Sequence, residues 1–266
     1  MLSFVRISHS GAGMSINDRD LMGGLAKGLR VIETFTAEHP RQSIVEVAAA
    51  SGLDRATARR CLLTLAQGGY ADYDGKFFTL TPRVLRLGTA CLATMPLPQI
   101  VQPNLDRLSE EIGESSSVSI LDGAEIVYVA RAAQRRVMSI ALMPGSRLPA
   151  WCTSMGRVML AALSEAELQP LLAMAPFPAR TPLTLTDAGQ LLEELARVRR
   201  DGHAVIDQEV EMGLRSIAVP LLNGRGRVVA AVNVGLPAAH ATVEDLRTRF
   251  LPHLMRLQAD LRGLLR

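Results

Sequence analysis

The chain has 266 residues, of which 48% are hydrophobic and 21% are charged, an ordinary globular composition with room for one large domain or two modest ones. It contains no run of 18 apolar residues, so we expect no membrane-spanning helix. Residues 1–22 lack the apolar core of a secretory signal and are expected to form a flexible tail. These features predict a cytoplasmic protein.

The net charge of +3 is located in one quarter of the chain. Residues Gly23 to Gly88 contain nine basic and six acidic residues, including both lysines of the protein, whereas the segments on either side are balanced. A small basic module attached to a larger neutral one predicts a polyanion as the partner of the first module only.

The first helices of this module are indicated by apolar spacing and by capping residues. Apolar periodicity predicts a helix over residues 24–37. Ser43 and Glu46 form a capping box that starts a second helix ending near Ala50. Gly52 provides a tight turn, and Asp54 caps a third helix over 55–67.

The spacing around Gly52 is typical of a helix-turn-helix. Ala48, Ala58 and Cys61 are small or apolar at the positions where the two helices must pack. The third helix would then expose a basic face, and a recognition helix contacts base edges and phosphates from its N-terminal residues.

A wing follows the third helix. Short strands are predicted over 70–73 and 77–80 around a two-residue turn, Asp74-Gly75. Residues 23–81 are therefore predicted to form a winged helix-turn-helix, followed by a linker helix over 82–96 that starts at Thr81-Pro82. The alternative is a small helical domain with solvated arginines. The residues expected to contact DNA are Ser43, Arg55, Thr57, Arg59, Arg60 and Lys76.

The remainder, 97–266, shows hairpins and helices in blocks rather than in strict alternation, which predicts an α+β domain with an antiparallel sheet. The predicted helices cover 99–113, 154–163, 165–175 and 187–200, and a final one is capped by Thr242 with Asp245. The predicted strands cover 116–121, 124–130, 137–142, 204–207, 216–222 and 228–234, and the segment 143–150 is predicted to be a loop.

No catalytic or metal-binding set emerges. The three cysteines lie far apart, the five histidines are scattered, and no HExxH, P-loop or GxGxxG motif is present. We therefore expect no enzyme activity, no cofactor and no metal. The acidic residues Asp207, Glu209 and Glu211 are interpreted as a solvated strand end rather than a carboxylate cluster. Two rival interpretations stay open: a hydrolase using Cys152 or Ser154, and a structural dimerisation module.

The chain resembles the IclR family of transcriptional regulators. The resemblance is carried by four stretches spread over residues 23–266: GLAKGLRVIETF (24–35), SIVEVAAASGLDRATARRCLLTLAQGGY (43–70), PGSRLPAWCTSMGRVMLA (144–161) and DQEVEMGLRSIAVPLLNGRGRVVAAVNVG (207–235). It implies a winged helix domain, a linker helix and a GAF-like effector domain, in a dimer or a dimer of dimers. Within the family, LPAWCTSMGRVMLA and RTPLTLTD (180–187) look most like regulators of the β-ketoadipate pathway and of p-hydroxybenzoate breakdown.

The resemblance also implies an effector pocket between the sheet and the loop before the Ser154 helix. Many members of the family have cysteine where this chain has Ser216. Amides at the start of that helix would face a carboxylate, and Trp151 and Met155 would face an aromatic ring. The implied lining is Met143, Gly145, Leu148, Ala150, Trp151, Thr153, Ser154, Met155, Asp207, Ser216, Ala218, Asn233 and Gly235.

Together these features predict a homo-oligomeric transcription factor for genes of aromatic-acid catabolism. Its partners would be a double-stranded DNA operator, a small aromatic or dicarboxylic acid, a second copy of itself, and RNA polymerase if it acts as an activator. Two DNA-binding modules would contact two half-sites of an operator, and the acid would shift the protein between two states.

Overall fold

The computed structural model describes residue 17 and residues 20–36, 38–134 and 142–265, with the side chain of Leu92 excepted. Most of the predicted tail (1–22) and of the predicted strand 137–142 lies outside the described residues. The contacts divide the chain after Thr94, inside the predicted linker helix, into two units. Among the described helices, none is by itself long and apolar enough to cross a membrane, and only the bent pair Pro82–Cys91 and Pro96–Ile112 reaches that length and composition jointly.

The first unit is a bundle of three short helices with a small antiparallel sheet. Its core contains Val31, Ala58, Leu62 and Phe78, each fully buried. The elements are α1 (Gly23–Glu33), β1 (Arg41–Ser43), α2 (Ile44–Ser51), α3 (Arg55–Gln67), β2 (Ala71–Tyr73), β3 (Phe77–Leu80) and, after the 3-10 turn Pro82–Val84, α4 (Leu85–Thr94).

Local chemistry sets most of these boundaries. The Ser43–Glu46 capping box is present, Gly52 ends α2 with φ 67°, and Asp54 caps α3. The prediction of a first helix reaching residue 37 was wrong: α1 ends at Glu33, because the Thr34 carbonyl accepts a hydrogen bond from Gln42 Nε2 (2.8 Å).

The small sheet differs from the prediction in two ways. Its order is β1-β3-β2, and the strand β1 was not predicted. The turn of the hairpin is centred on Gly75-Lys76 rather than on Asp74-Gly75, since the Asp74 amide donates to the Phe77 carbonyl (3.2 Å). Asp74 Oδ1 in turn accepts the amides of Lys76 and Phe77 (2.9 and 2.8 Å), which fixes the turn one residue later.

The second unit is a six-stranded antiparallel sheet with helices on both faces. Strand order is β6-β5-β4-β9-β8-β7. The strands are β4 (Ser115–Asp122), β5 (Glu125–Ala132), β6 (Arg147–Pro149), β7 (Ala204–Asp207), β8 (Leu214–Leu222) and β9 (Val228–Pro237). The helices are α5 (Pro96–Ile112), α6 (Ser154–Leu160), α7 (Glu165–Leu172), α8 (Ala188–Asp201), α9 (Val243–Asp245) and, after a π-turn at Leu246–Phe250, α10 (Leu251–Leu261).

Alternation along β8 shows how the sheet separates two cores. Ile217, Val219 and Leu221 face the core shared with α5 and α10, whereas Ala218 belongs to the core shared with α6 and α8. Each face is therefore covered by helices, except where the start of α6 leaves a cavity above the sheet.

Several predicted boundaries of this unit were wrong, including the end of α7, at Leu172 rather than residue 175, and the end of β9, at Pro237 rather than residue 234. Helix α5 begins at Pro96 rather than at residue 99, because proline is tolerated in the first turn of a helix. Strand β6 lies in the predicted loop, where Arg147–Pro149 pairs with the free edge of β5. Helix α6 ends at Leu160 rather than at residue 163, and the Ala161 carbonyl accepts from Arg199 Nε (2.8 Å).

A candidate DNA interface and a candidate effector cavity

The third helix of the first unit carries the predicted basic face. Arg55, Arg59 and Arg60 are exposed, and the first two lie one turn apart on the same side of α3. Thr57 does not join them: it is 8% exposed and bonds with Asp54, whose pKa is lowered by the Thr57 hydroxyl and amide. Ser43 is half-buried and is engaged in the capping box, with its hydroxyl 2.7 Å from Glu46 Oε2. Three of the predicted DNA-contacting residues are thus free to face solvent on α3, whereas Ser43 caps α2 and the Thr57 amide donates to the Asp54 cap of α3.

The wing carries a second basic residue besides Lys76. Lys76 is exposed, and its Nζ lies 5.0 Å from the centre of the Phe77 ring. Arg41 lies 4.1 Å from the same ring and forms an ion pair with Asp74. That guanidinium holds the pKa of Asp74 well below its usual range. Arg41 was not singled out from the sequence, since only the pairing of β1 with β3 brings it to the wing.

A cavity opens in the second unit between the sheet and the start of α6. The space between the atoms, including the open mouth, is about 440 Å³. Seven of the residues implied by the family resemblance line it: Leu148, Thr153, Ser154, Met155, Ser216, Asn233 and Gly235. Five others also line it and were not singled out from the sequence: Tyr128, Arg131, Leu142, Val210 and Leu214.

The remaining six of the implied lining residues lie elsewhere, because strand register and packing direct them away from the cavity. Trp151 is 6% exposed and stacks on Phe177, with ring centroids 5.1 Å apart. Asp207 forms an ion pair with Arg215 (2.6 Å) at a strand end. Ala150 and Ala218 are fully buried in the core, Met143 is exposed, and Gly145 lies in a turn with φ 93°.

Arg131 is the distinctive polar group of the cavity. Its guanidinium is half-buried, and burial lowers its pKa. Nη1 donates to Ser117 Oγ (2.9 Å), and no carboxylate in the described parts of the chain forms an ion pair with it. The segment 135–141, which is not described, contains no acidic residue in its sequence. A partly buried cation without a carboxylate favours an anionic ligand, because such a charge is costly unless it is paired.

The other polar groups of the cavity suit hydroxyl or carbonyl substituents. Burial raises the pKa of Tyr128 to about 12, so its phenol stays protonated at neutral pH. Within the described chain, neither the Tyr128 hydroxyl nor the Asn233 side-chain amide forms a hydrogen bond. The hydroxyls of Ser154 and Ser216 bond to each other (2.9 Å). The apolar walls come from Leu142, Leu148, Val210, Leu214 and Met155.

The geometry around Cys152 and Ser154 does not resemble an activated nucleophile. Cys152 is fully buried, and burial raises its pKa to about 11, which disfavours the reactive thiolate. Ser154 bonds to Ser216, and no histidine of the described residues bonds to either side chain. Among the described residues, no group of three or more His, Cys, Asp or Glu is placed to hold a metal ion.

Two family models match the chain and together cover most of it. The model "IclR helix-turn-helix domain" matches residues 24–75, and the model "Bacterial transcriptional regulator IclR C-terminal" matches residues 89–261. Both cover the units that carry the two candidate sites.

Similar proteins agree with this assignment. The chain is 43% identical to the Pca regulon regulatory protein of Pseudomonas putida, over 92% of this chain and 84% of that protein. It is 34% identical to the p-hydroxybenzoate hydroxylase transcriptional activator of Acinetobacter baylyi, over 97% of both chains. Among solved structures, a double mutant of the inducer-binding domain of the PobR transcription factor from Acinetobacter, in complex with 3-hydroxybenzoic acid, is 32% identical with a TM-score of 0.60. That match covers 63% of this chain and 98% of the domain. The chain therefore belongs to the IclR family of bacterial transcriptional regulators and is a DNA-binding protein of the Pca and p-hydroxybenzoate regulator type.

Proposed function

We propose that the protein is a cytoplasmic, homo-oligomeric transcription factor whose operator binding is controlled by a small aromatic or dicarboxylic acid. The observation that carries the proposal is the half-buried Arg131 guanidinium, which lines the cavity without a carboxylate partner among the described residues. A carboxylate bound there would pair with the cation and offset the cost of its desolvation.

The rest of the cavity supports an aromatic acid in particular. Apolar side chains on several sides suit a ring, and the Tyr128 hydroxyl and Asn233 amide are available for ring hydroxyls or a carbonyl. We assign the ligand carboxylate to Arg131 rather than to the start of α6. That helix has only seven residues, and the Thr153 hydroxyl already accepts its Gly156 amide (3.2 Å).

The names of the similar proteins support the same class of acid. One relative is a regulatory protein of the pca regulon, another is a transcriptional activator for p-hydroxybenzoate hydroxylase, and a double mutant of a related inducer-binding domain forms a complex with 3-hydroxybenzoic acid. We infer that this protein controls genes of aromatic-acid catabolism. An activator of such genes would also contact RNA polymerase.

The first unit supports operator binding by a dimer. Arg55, Arg59 and Arg60 on α3, together with Lys76 and Arg41 at the wing, would contact phosphates and base edges. Large apolar side chains are exposed on and around α1 and on α4, which supports self-association through this unit. These residues are Leu21, Met22, Leu25, Leu29, Leu85 and Leu87.

We also propose that the protein is not an enzyme. The buried Cys152, with its raised pKa, and the Ser154 hydroxyl bonded to Ser216 lack an adjacent base in the described structure. Turnover of any of the acids tested below by the purified protein would contradict this.

The effector is tested by calorimetric titration of the full-length protein with protocatechuate, p-hydroxybenzoate and β-ketoadipate. We expect one of them to bind, and Arg131→Met to weaken it by roughly 10- to 100-fold, the usual worth of hydrogen bonds to a charged group. Arg147→Met is the matched control, because Arg147 lies on neighbouring β6 but pairs with Glu125 and Asp122. Binding by none of the three acids, or equal binding by Arg131→Met, would contradict the proposal.

The DNA interface is tested with an operator selected by the wild-type protein from a random-sequence pool. We expect the double variant Arg59→Ala/Arg60→Ala to weaken binding and to lower the slope of log affinity against log salt by about 1 per lost phosphate contact. The control removes two exposed arginines of the second unit, Arg107 and Arg200. An unchanged affinity and an unchanged salt slope in the Arg59→Ala/Arg60→Ala variant would contradict the assignment of α3 to the DNA interface.

A further inference from the structure

A side-chain amide on α5 holds the backbone of the arginine that lines the cavity. Gln102 Nε2 donates to the Arg131 carbonyl (3.0 Å), and the Arg131 amide donates to Gln102 Oε1 (3.3 Å). One amide group thus bonds both peptide groups that flank the Arg131 Cα, as a neighbouring strand would. The side chain of the same Arg131 faces the cavity.

The helix that carries Gln102 has a weak point at the next residue. Pro103 lies inside α5 and has no amide N–H, so the helical hydrogen-bond ladder is interrupted there. One residue further, Asn104 Nδ2 donates to the Ile100 carbonyl (3.2 Å). Beyond the proline, a separate bond from Gln134 Nε2 to the Ser109 carbonyl (2.9 Å) joins α5 to the chain after β5.

The part of α5 before Pro103 leads directly to the linker. Helix α5 begins at Pro96, and the linker helix α4 ends at Thr94, so a single residue separates them. A displacement of the first turns of α5 would therefore reach the linker through the backbone. The turns after Pro103 are tied to the chain after β5 by Gln134 and to Gln102 by Asp106, whose Oδ1 accepts from Gln102 Nε2 (2.8 Å).

We propose that Gln102 is the positioning residue through which ligand binding in the cavity displaces α5 and the linker. This rests on the proposed function, since it requires an acid at Arg131. A bound carboxylate competes with Ser117 for the guanidinium, which at present donates to Ser117 Oγ at 2.9 Å. The resulting shift of Arg131 moves its peptide groups, and the two bonds of Gln102 transfer this shift to the helix on the linker side of Pro103.

The experiment measures operator affinity of the full-length protein with and without the acid that binds, taken from protocatechuate, p-hydroxybenzoate and β-ketoadipate. The ratio of the two affinities is the coupling, typically about 5- to 150-fold in regulated proteins. Gln102→Leu removes both hydrogen bonds to Arg131 at similar size, together with the bond from Gln102 Nε2 to Asp106 Oδ1 within α5 (2.8 Å). We expect it to bring the ratio to within about twofold of one, while affinity for DNA without acid stays within about threefold of wild type.

Two further variants make the result specific. Gln102→Glu keeps an acceptor for the Arg131 amide but loses the donor to the Arg131 carbonyl and to Asp106 Oδ1, and we expect an intermediate ratio. It also decides the case if Gln102→Leu does not fold. Asn104→Ala removes a side chain of the same helix that bonds within α5, and we expect the wild-type ratio.

The outcomes separate this inference from the proposed function. Wild-type coupling in Gln102→Leu, or in Gln102→Glu where only that variant folds, would overturn the inference and leave the effector site intact. Equal loss of coupling in Asn104→Ala would overturn it too, because the effect would then come from a general destabilisation of α5. If the wild-type protein binds none of the acids, the proposed function fails first and the inference falls with it.

Discussion

Removing the carboxylate of Glu209 should destabilise the second unit strongly. Arg157 is only 2% exposed, and its Nη2 donates to Glu209 Oε2 at 2.6 Å. Its Nε donates to the Trp151 carbonyl (2.9 Å), and the second carboxylate, Glu194 Oε1, lies 3.8 Å from Nη1. Glu209 also accepts the Leu185 amide (3.1 Å), so it joins α6 to the loop before α8.

The size of the effect follows from what remains after Glu209→Ala. Breaking a buried ion pair by removing one partner costs about 3–5 kcal/mol, since the other charge stays buried. We expect a loss of about 3 kcal/mol in the free energy of unfolding, the lower value, because Glu194 still partly compensates Arg157. For a unit of this size, that loss lowers Tm by roughly 6–12 °C.

Urea unfolding followed by tryptophan fluorescence measures this directly. Trp151 is the protein's only tryptophan and lies in the second unit, so the signal reports that unit. Glu193→Ala, an exposed neighbour of Glu194 on α8, is the matched control and should change stability by less than about 0.5 kcal/mol. The double change Arg157→Met with Glu209→Leu should recover most of the loss, because no buried charge is then left uncompensated. A loss below about 1 kcal/mol in Glu209→Ala, or an equal loss in the control, would refute this reasoning.

Two other predictions concern cysteine reactivity and close packing. At pH 8, a thiol reagent should modify the exposed Cys91 rapidly and Cys152 only when the protein unfolds, because burial raises the pKa of Cys152 to about 11. Mass spectrometry of the labelled peptides measures the two rates. Equal rates of modification would contradict the prediction. Gly156→Ala should lower the free energy of unfolding by roughly 1–3 kcal/mol, because a Cβ there would lie 2.2 Å from the Ala150 carbonyl oxygen. Gly263→Ala, which has open space around it, should leave the urea midpoint nearly unchanged, and equal midpoints for the two variants would count against the packing argument.

The sequence by itself determined the local elements of the DNA-binding unit. The Ser43 capping box, the turn at Gly52 and the Asp54 cap depend on residues within a few positions of one another, so their pattern is visible without the fold. The resemblance of the whole chain to one family then identified the class of protein.

Only the tertiary structure decided which side chains meet. The Arg131 side chain lines the cavity, whereas Trp151 lies outside it and stacks on Phe177, because strand register and helix packing set the direction of each side chain. Arg157 and Glu209 pair across 52 residues of sequence, and no local pattern indicates that contact. Gln102 meets the Arg131 backbone for the same reason: contacts between distant elements depend on how the sheet and its helices pack, which short-range sequence patterns do not specify.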